Sequence, residues 1–147
     1  MRFLRSLFRR RAPARVSDHP LFGRIAFSRH DGWLNPAFEL WGYSGVDLLV
    51  DAPPEGPSRA QEEAFVRFRD ARPTLLPRCL DAVAAVRRGM DLPEGDFMIT
   101  GLSIPSHTDA PSGSLWTLWF DCVGEEHFWY GVQSDDDWRT VVGFADD

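Results

Sequence analysis

The chain has 147 residues, 44% of them apolar and 13% aromatic, a composition that excludes a disordered polypeptide and suits one domain with its own core. No apolar run approaches the roughly 20 residues that cross a bilayer, and the N-terminal arginines lack the apolar stretch of a secretory leader. The net charge of −6 is unevenly placed: Arg2, Arg5, Arg9, Arg10, Arg11 and Arg15 precede the first acid, Asp18, and the remainder sets ten arginines against 22 acids, a body at −12 that disfavours nucleic acid and favours a basic partner.

Met1–Arg15 places Phe3, Leu4, Leu7 and Phe8 at helical spacing among arginines. Three readings stay open for it: a loose basic tail, a strap across the acidic body, or an amphipathic helix on an anionic membrane. The chain divides accordingly into a basic N-terminal extension, residues 1–17, and a single α+β domain, residues 18–147.

Leu21–Arg29 predicts a first strand, with Leu21, Ile25 and Phe27 on one face, and His30-Asp31-Gly32 predicts a turn. Trp33–Trp41 predicts a second strand, where Pro36 demands an edge position or a bulge. After a turn at Gly42–Gly45, Val46–Asp51 completes an antiparallel meander. Ala52–Pro57 is too rich in proline to continue it. Ser58 and Gln61 have the spacing of a capping box and open a helix that runs to Asp70, burying Ala64, Phe65 and Phe68. Arg72-Pro73 ends it. A second helix over Leu75–Arg88 carries Leu76, Cys79, Leu80, Val83 and Val86 as its stripe, with Gly89 as the residue just past its end.

A loop at Asp91–Asp96, a strand at Phe97–Ile104 and a polar loop at Pro105–Gly113 follow. Ser114–Gln133 then reads as an aromatic hairpin, two apolar runs around Val123-Gly124-Glu125-Glu126. Two registers compete. A Gly124-Glu125-Glu126 loop sets Cys122 opposite Phe128, Phe120 opposite Tyr130 and Leu118 opposite Val132. A Gly124-Glu125 turn sets Cys122 opposite His127 and Phe120 opposite Trp129. The slip exchanges the two faces, and the first register is preferred because it makes one face almost wholly apolar. It leaves Trp119 and Trp129 beside Thr117, Asp121, His127 and Gln133, either under a helix or as a contact surface. Trp138–Phe144 supplies the last strand. The order β-β-β-α-α-β-β-β-β predicts an α+β fold, a largely antiparallel sheet with a helical pair on one face.

Three stretches carry a resemblance: Phe22-Gly23 at the first strand, GPSRAQEEAFVRF at Gly56–Phe68, and HFWYGVQSDDDWRTVVGF at His127–Phe144. With the element order they make most of residues 19–147 similar to a broad group of small bacterial proteins often encoded near polymorphic toxins. The resemblance implies an immunity-like or accessory factor that binds another protein; it carries over no catalytic residue. The basic extension lies outside the pattern.

Other chemistry is thin. Cys122 and His127 flank the hairpin loop and form a nucleophile–base pair only in the second register; otherwise Cys122 is a small core residue. His107 and Asp109 share a loop whose polar residues a loop needs anyway. A small hydrolase or ligand-binding enzyme using the loop around His107 and Asp109 and the hairpin end near Cys122 and His127 is the alternative function. Asp135-Asp136-Asp137 lacks the spacing of a calcium loop, and the four histidines match no zinc pattern, so neither metal nor cofactor is expected. The two cysteines, Cys79 and Cys122, form no framework and suit a reducing, cytoplasmic compartment. The primary expectation is a binding module whose acidic surface docks a basic protein. Trp119, Trp129, Asp121, Asp135, Asp136 and Asp137 are its candidate contacts, and Trp33 and Trp41 add aromatic material. Membrane contact through Met1–Arg15 is a further alternative.

Overall fold

Four extended runs separated by tight turns open the domain: β1 (Arg15–His19), β2 (Gly23–Ser28), β3 (Gly32–Leu40) and β4 (Tyr43–Val50). Gly32 shows why one turn needs glycine. It holds φ +90, and a Cβ there would stand 2.5 Å from the Val50 carbonyl oxygen, closer than any side chain is accommodated. Two helices follow, α1 (Arg59–Asp70) and α2 (Arg72–Gly89), and then β5 (Phe97–Ile104), β6 (Trp116–Cys122), β7 (Trp129–Ser134) and β8 (Val142–Asp146). These elements belong to a computed structural model that describes residues 15–106 and 115–147. Met1–Ala14 and the His107–Asp109 cluster lie outside the described residues.

The strands form one eight-stranded sheet in sequence order, antiparallel at every step except β4–β5, which is parallel. A parallel neighbour requires a long crossover, and the two helices supply it. The fold is thus α+β with a mostly antiparallel sheet, but with four strands before the helices instead of the expected three. The added strand, β1, is RVSDH, exposed except at His19. It has no apolar periodicity to betray it. Its ladder to β2 and the His19 ring hold it in place. The His19 Nδ1 accepts from the Leu21 and Phe22 amides at 3.1 and 3.2 Å, so Nε2 carries the proton donated to Glu62 at 2.7 Å. The sheet consequently begins at Arg15, inside the stretch read as extension.

Other boundaries moved for local reasons. The expected first strand starts at Gly23, after a turn through Leu21. Pro36 falls in a bulge between Asn35 and Phe38, with β3 interior to the sheet. Helix α2 begins at Arg72 because Pro73 fits the first helical turn, where its missing N–H is not required. Gly89 is the last helical residue, Met90 is the cap, and Asp91 takes the positive φ of 57. The last strand starts only at Val142, since Trp138 lies in a turn at φ 54.

The capping box forms as expected, and both ends of the Gln61 amide are used. Ser58 Oγ accepts from the Gln61 amide at 3.1 Å and Gln61 Oε1 accepts from the Ser58 amide at 2.9 Å. The buried Gln61 Nε2 also donates to the carbonyls of Asp51 and Pro105, at 2.8 and 2.9 Å. One side chain therefore caps α1 and ties together the chain leaving β4 and the chain leaving β5.

The core centres on Phe68, 1% exposed. Trp41 stacks on it at 4.6 Å, Trp138 lies at 5.0 Å and Trp116 at 5.4 Å. Ala64, Phe65, Leu75, Cys79 and Val83 bring the helices into the same cluster. The aromatic hairpin adopts the preferred register, Trp116↔Ser134, Leu118↔Val132 and Phe120↔Tyr130, so that Trp116, Leu118, Phe120 and Cys122 are buried in this cluster.

Candidate functional site

Strand alternation sends the remaining hairpin side chains to the opposite face of the sheet. The registers define two rows there. One runs Ala26, Leu34, Leu49, Ser103, Thr117, Gln133, Val142, and the next runs Asp47, Gly101, Trp119, Gly131, Phe144. Asp121 and Met98 pair in the row beyond, as do Trp129 and Asp146. Trp119 stands between two glycines, Gly101 and Gly131. The gap at Gly131 is used: a Cβ there would fall within the Phe144 ring, which lies edge-on to Trp119 at 5.3 Å and 82°. Gly131 thus lets the Phe144 ring lie along the sheet beside Trp119. Trp129 is 38% exposed, Met98 45% and Val142 60%, against 4% for Asp47. Asp121 is half-buried and Asp146 exposed. The face offers aromatic and apolar area set among carboxylates.

The six expected contact residues divide. Trp119, Asp121 and Trp129 share this face near the hairpin loop. Asp135, Asp136 and Asp137 form the β7–β8 turn at the other end of the hairpin. Asp136 accepts the Trp116 indole N–H at 2.7 Å, and Asp135 Oδ1 accepts the Asp137 amide at 3.2 Å. Asp136 thereby holds a buried tryptophan; Asp135 and Asp137 remain exposed. Trp33 is buried, and the half-buried Trp41 is tied into the core. Trp33 is 2% exposed and donates to the Pro53 carbonyl, and Trp41 donates to the Arg69 carbonyl while stacking on Phe68.

Cys122 is buried against Gly95, whereas His127 is exposed. Among the described residues no hydrogen bond joins them. The hairpin loop is organised by Glu125, which accepts from the backbone of Glu126 and His127 and from Arg87. Arg87 is the cluster that sequence reasoning missed. Its guanidinium donates to Tyr130 Oη at 2.8 Å, to Glu125 at 3.1 Å and to the Pro93 carbonyl at 2.5 Å. The Tyr130 and Glu125 hydrogen bonds raise its pKa further, and the His127 amide and then Arg87 hold the Glu125 carboxyl below its ordinary range. Partners this distant in sequence leave no local signal, and Arg87 reads there only as a helix-terminal charge. The adjoining cleft, between Arg88 and Phe97, measures about 180 Å³, below the ~300 Å³ at which ligand sites begin. Burial pushes the Cys79 thiol up to about 12, which keeps it protonated and unreactive.

Charge is segregated between the layers. The two helices carry seven arginines against four acids, and the other described residues carry four arginines against 17 acids. The acidic balance therefore belongs to the strands and loops. Among the described residues no helix is long and apolar enough to cross a membrane, and no three His, Cys, Asp or Glu side chains are placed to hold a metal ion. Compared with known proteins, the chain matches no protein family, no curated protein and no solved structure.

Proposed function

We propose that the protein is a non-enzymatic binding module, an immunity-like or accessory factor of the cytoplasm, whose acidic sheet surface docks a basic partner protein. The observation that carries this reading is the pair of rings, Trp119 and Phe144, packed edge-on beside Gly131, with the half-buried Asp121 and the exposed Asp146 in the adjoining row. Tryptophan anchors ringed by charge are what protein interfaces spend their affinity on, and a surface rich in carboxylates steers an arginine- or lysine-rich partner toward them. On this reading the helix pair covers the Phe68 side of the sheet and leaves the Trp119 face for the partner. The resemblance at His127–Phe144 points the same way, since that stretch supplies Trp129, Gly131 and Phe144.

The test is co-purification with the product of the adjacent gene, followed by titration. Trp119→Ala is expected to weaken binding by at least ~30-fold, the scale of a hot-spot residue at about 2 kcal/mol. Raising the salt concentration is expected to slow association. Binding that is indifferent to Trp119→Ala and to salt would sink the proposal.

A further inference from the structure

We infer that β8 is a docking edge, to which an extended, arginine- or lysine-bearing segment of the partner adds as a ninth strand; the inference rests on the basic-partner reading and names how that partner is held. A sheet that does not close ends in two strands, each with a row of backbone N–H and C=O groups left without a neighbouring strand. Here those strands are β1 and β8. Charge and side-chain anchors blunt β1. Arg15 and Asp18 are among its five residues, Arg15 donates to the Pro54 carbonyl at 2.7 Å, and the His19 ring is fixed to Glu62 at 2.7 Å. β8, VGFAD, lacks the usual protections: it has no proline, no lysine or arginine, and no bulge in its ladder to β7. Among the described residues it pairs with β7 alone.

The edge is also preformed. On its core side α2 packs so closely that a Cβ on Gly143 would stand 2.8 Å from the Ala82 carbonyl oxygen. On its other side the Phe144 ring fills the space at Gly131 and meets Trp119 at 5.3 Å. A strand clamped on both faces needs no further ordering when another strand joins it. Val142, 60% exposed, and Phe144 lie on the same face as Trp119, so an added strand extends the proposed docking surface instead of opening a second one. Charge selects the occupant. Residues 135–147, which contain β8, hold five acids against one arginine, and Asp135, Asp137, Asp146 and Asp147 are exposed. Pairing with the β8 of a second copy would bring two such segments together, whereas a basic segment neutralises one. Main-chain hydrogen bonds would supply the affinity, and alternate side chains the selectivity.

The test uses the full chain, labelled with nitrogen-15, and a short end-blocked peptide of alternating arginine and valine. At about 20 mM salt, where charges are little screened, the peptide should slow hydrogen exchange at alternate β8 amides by at least about tenfold and leave those of β1 unchanged. Two further probes carry N-methyl groups, one on every arginine and the other on every valine. Only one set of amides in an added strand faces its neighbour, so one probe should keep its affinity and the other lose at least about tenfold. A glutamate–valine peptide should bind at least about tenfold more weakly than the arginine one. Equal affinity of the two methylated probes, or β8 exchange unaltered by the peptide, would overturn the edge. So would a chain that ignores the peptide yet binds its adjacent gene product through Trp119, which leaves the docking face standing. Protected β8 amides, with the adjacent gene product bound equally by Trp119→Ala, would support the edge and overturn the role of Trp119. Equal binding of the glutamate peptide would overturn the basic occupant. A dimer in sedimentation whose β8 amides are already protected would assign the edge to a second copy and overturn the proposal.

Discussion

Replacing Phe68 with alanine examines the packing account at its centre. The ring is 1% exposed and touches Trp41 at 4.6 Å, Trp138 at 5.0 Å, Trp116 at 5.4 Å and Phe65 at 6.2 Å between centroids. Truncating a buried phenylalanine costs about 3–5 kcal/mol through lost transfer energy and the cavity left behind. Two features place Phe68→Ala in the upper part of that range. Rigid indoles on three sides cannot collapse into the space. Trp41 and Trp138 both hold φ 54, a conformation that costs a non-glycine residue roughly 1–3 kcal/mol and persists only while its surroundings enforce it. The expected loss is about 4 kcal/mol, a large part of the roughly 5–15 kcal/mol that holds a domain together. In urea, followed by tryptophan fluorescence, the midpoint should fall by about 2 M at a slope near 2 kcal/mol/M. Phe68→Leu, which keeps most of the volume, should cost clearly less, about 1–2 kcal/mol. A loss under about 2 kcal/mol for Phe68→Ala, or equal losses for the two variants, would refute the idea that this ring supports the three tryptophans.

Gln61→Ala should cost more than Ser58→Ala, about 3 against about 1 kcal/mol by chemical denaturation, because it leaves the Asp51 carbonyl and the buried Pro105 carbonyl without this donor as well as removing the cap. Gly143→Ala should destabilise more than Gly131→Ala in the same assay. The first would drive a Cβ to 2.8 Å from the Ala82 backbone carbonyl in α2, at about 1–3 kcal/mol, while the second needs only the half-buried Phe144 ring to swing aside. Glu125 has a folded pKa below its unfolded one, so its contribution is complete above the ordinary glutamate range and is lost as the pH falls through its lower folded value. Glu125→Gln should therefore flatten the acid limb of a melting-temperature profile, and an unchanged profile would speak against the Arg87–Glu125 contact.

Local chemistry was legible in the sequence, and long-range chemistry was not. The Ser58–Gln61 box and the Phe120↔Tyr130 register follow from spacing and from the alternation of apolar residues, and both are found. β1 was invisible because RVSDH has no apolar face; it is held by its backbone ladder to β2 and by the His19 ring. The turn at Trp138 was hidden for the opposite reason. A tryptophan beside Val141, Val142 and Phe144 looks like strand, yet its burial against Phe68 and Trp116 outweighs the cost of positive φ. At the candidate site, alternation correctly placed Trp119 and Trp129 on the face away from Phe120. The role of Asp136 depended on Trp116, 20 residues earlier in the chain, and nothing local announced it. The arrangement of Gly101 and Gly131 around Trp119 became visible only once three strands were in register.

The most direct measurement of the docking account is the affinity of the full chain for its adjacent gene product, with Trp119→Ala and Trp129→Ala set beside Leu76→Ala on the surface of α2. Trp119→Ala should weaken binding by at least ~30-fold and Trp129→Ala by at least about tenfold, while Leu76→Ala should change it by less than about twofold. Full affinity in both face variants, or a loss confined to Leu76→Ala, would contradict it.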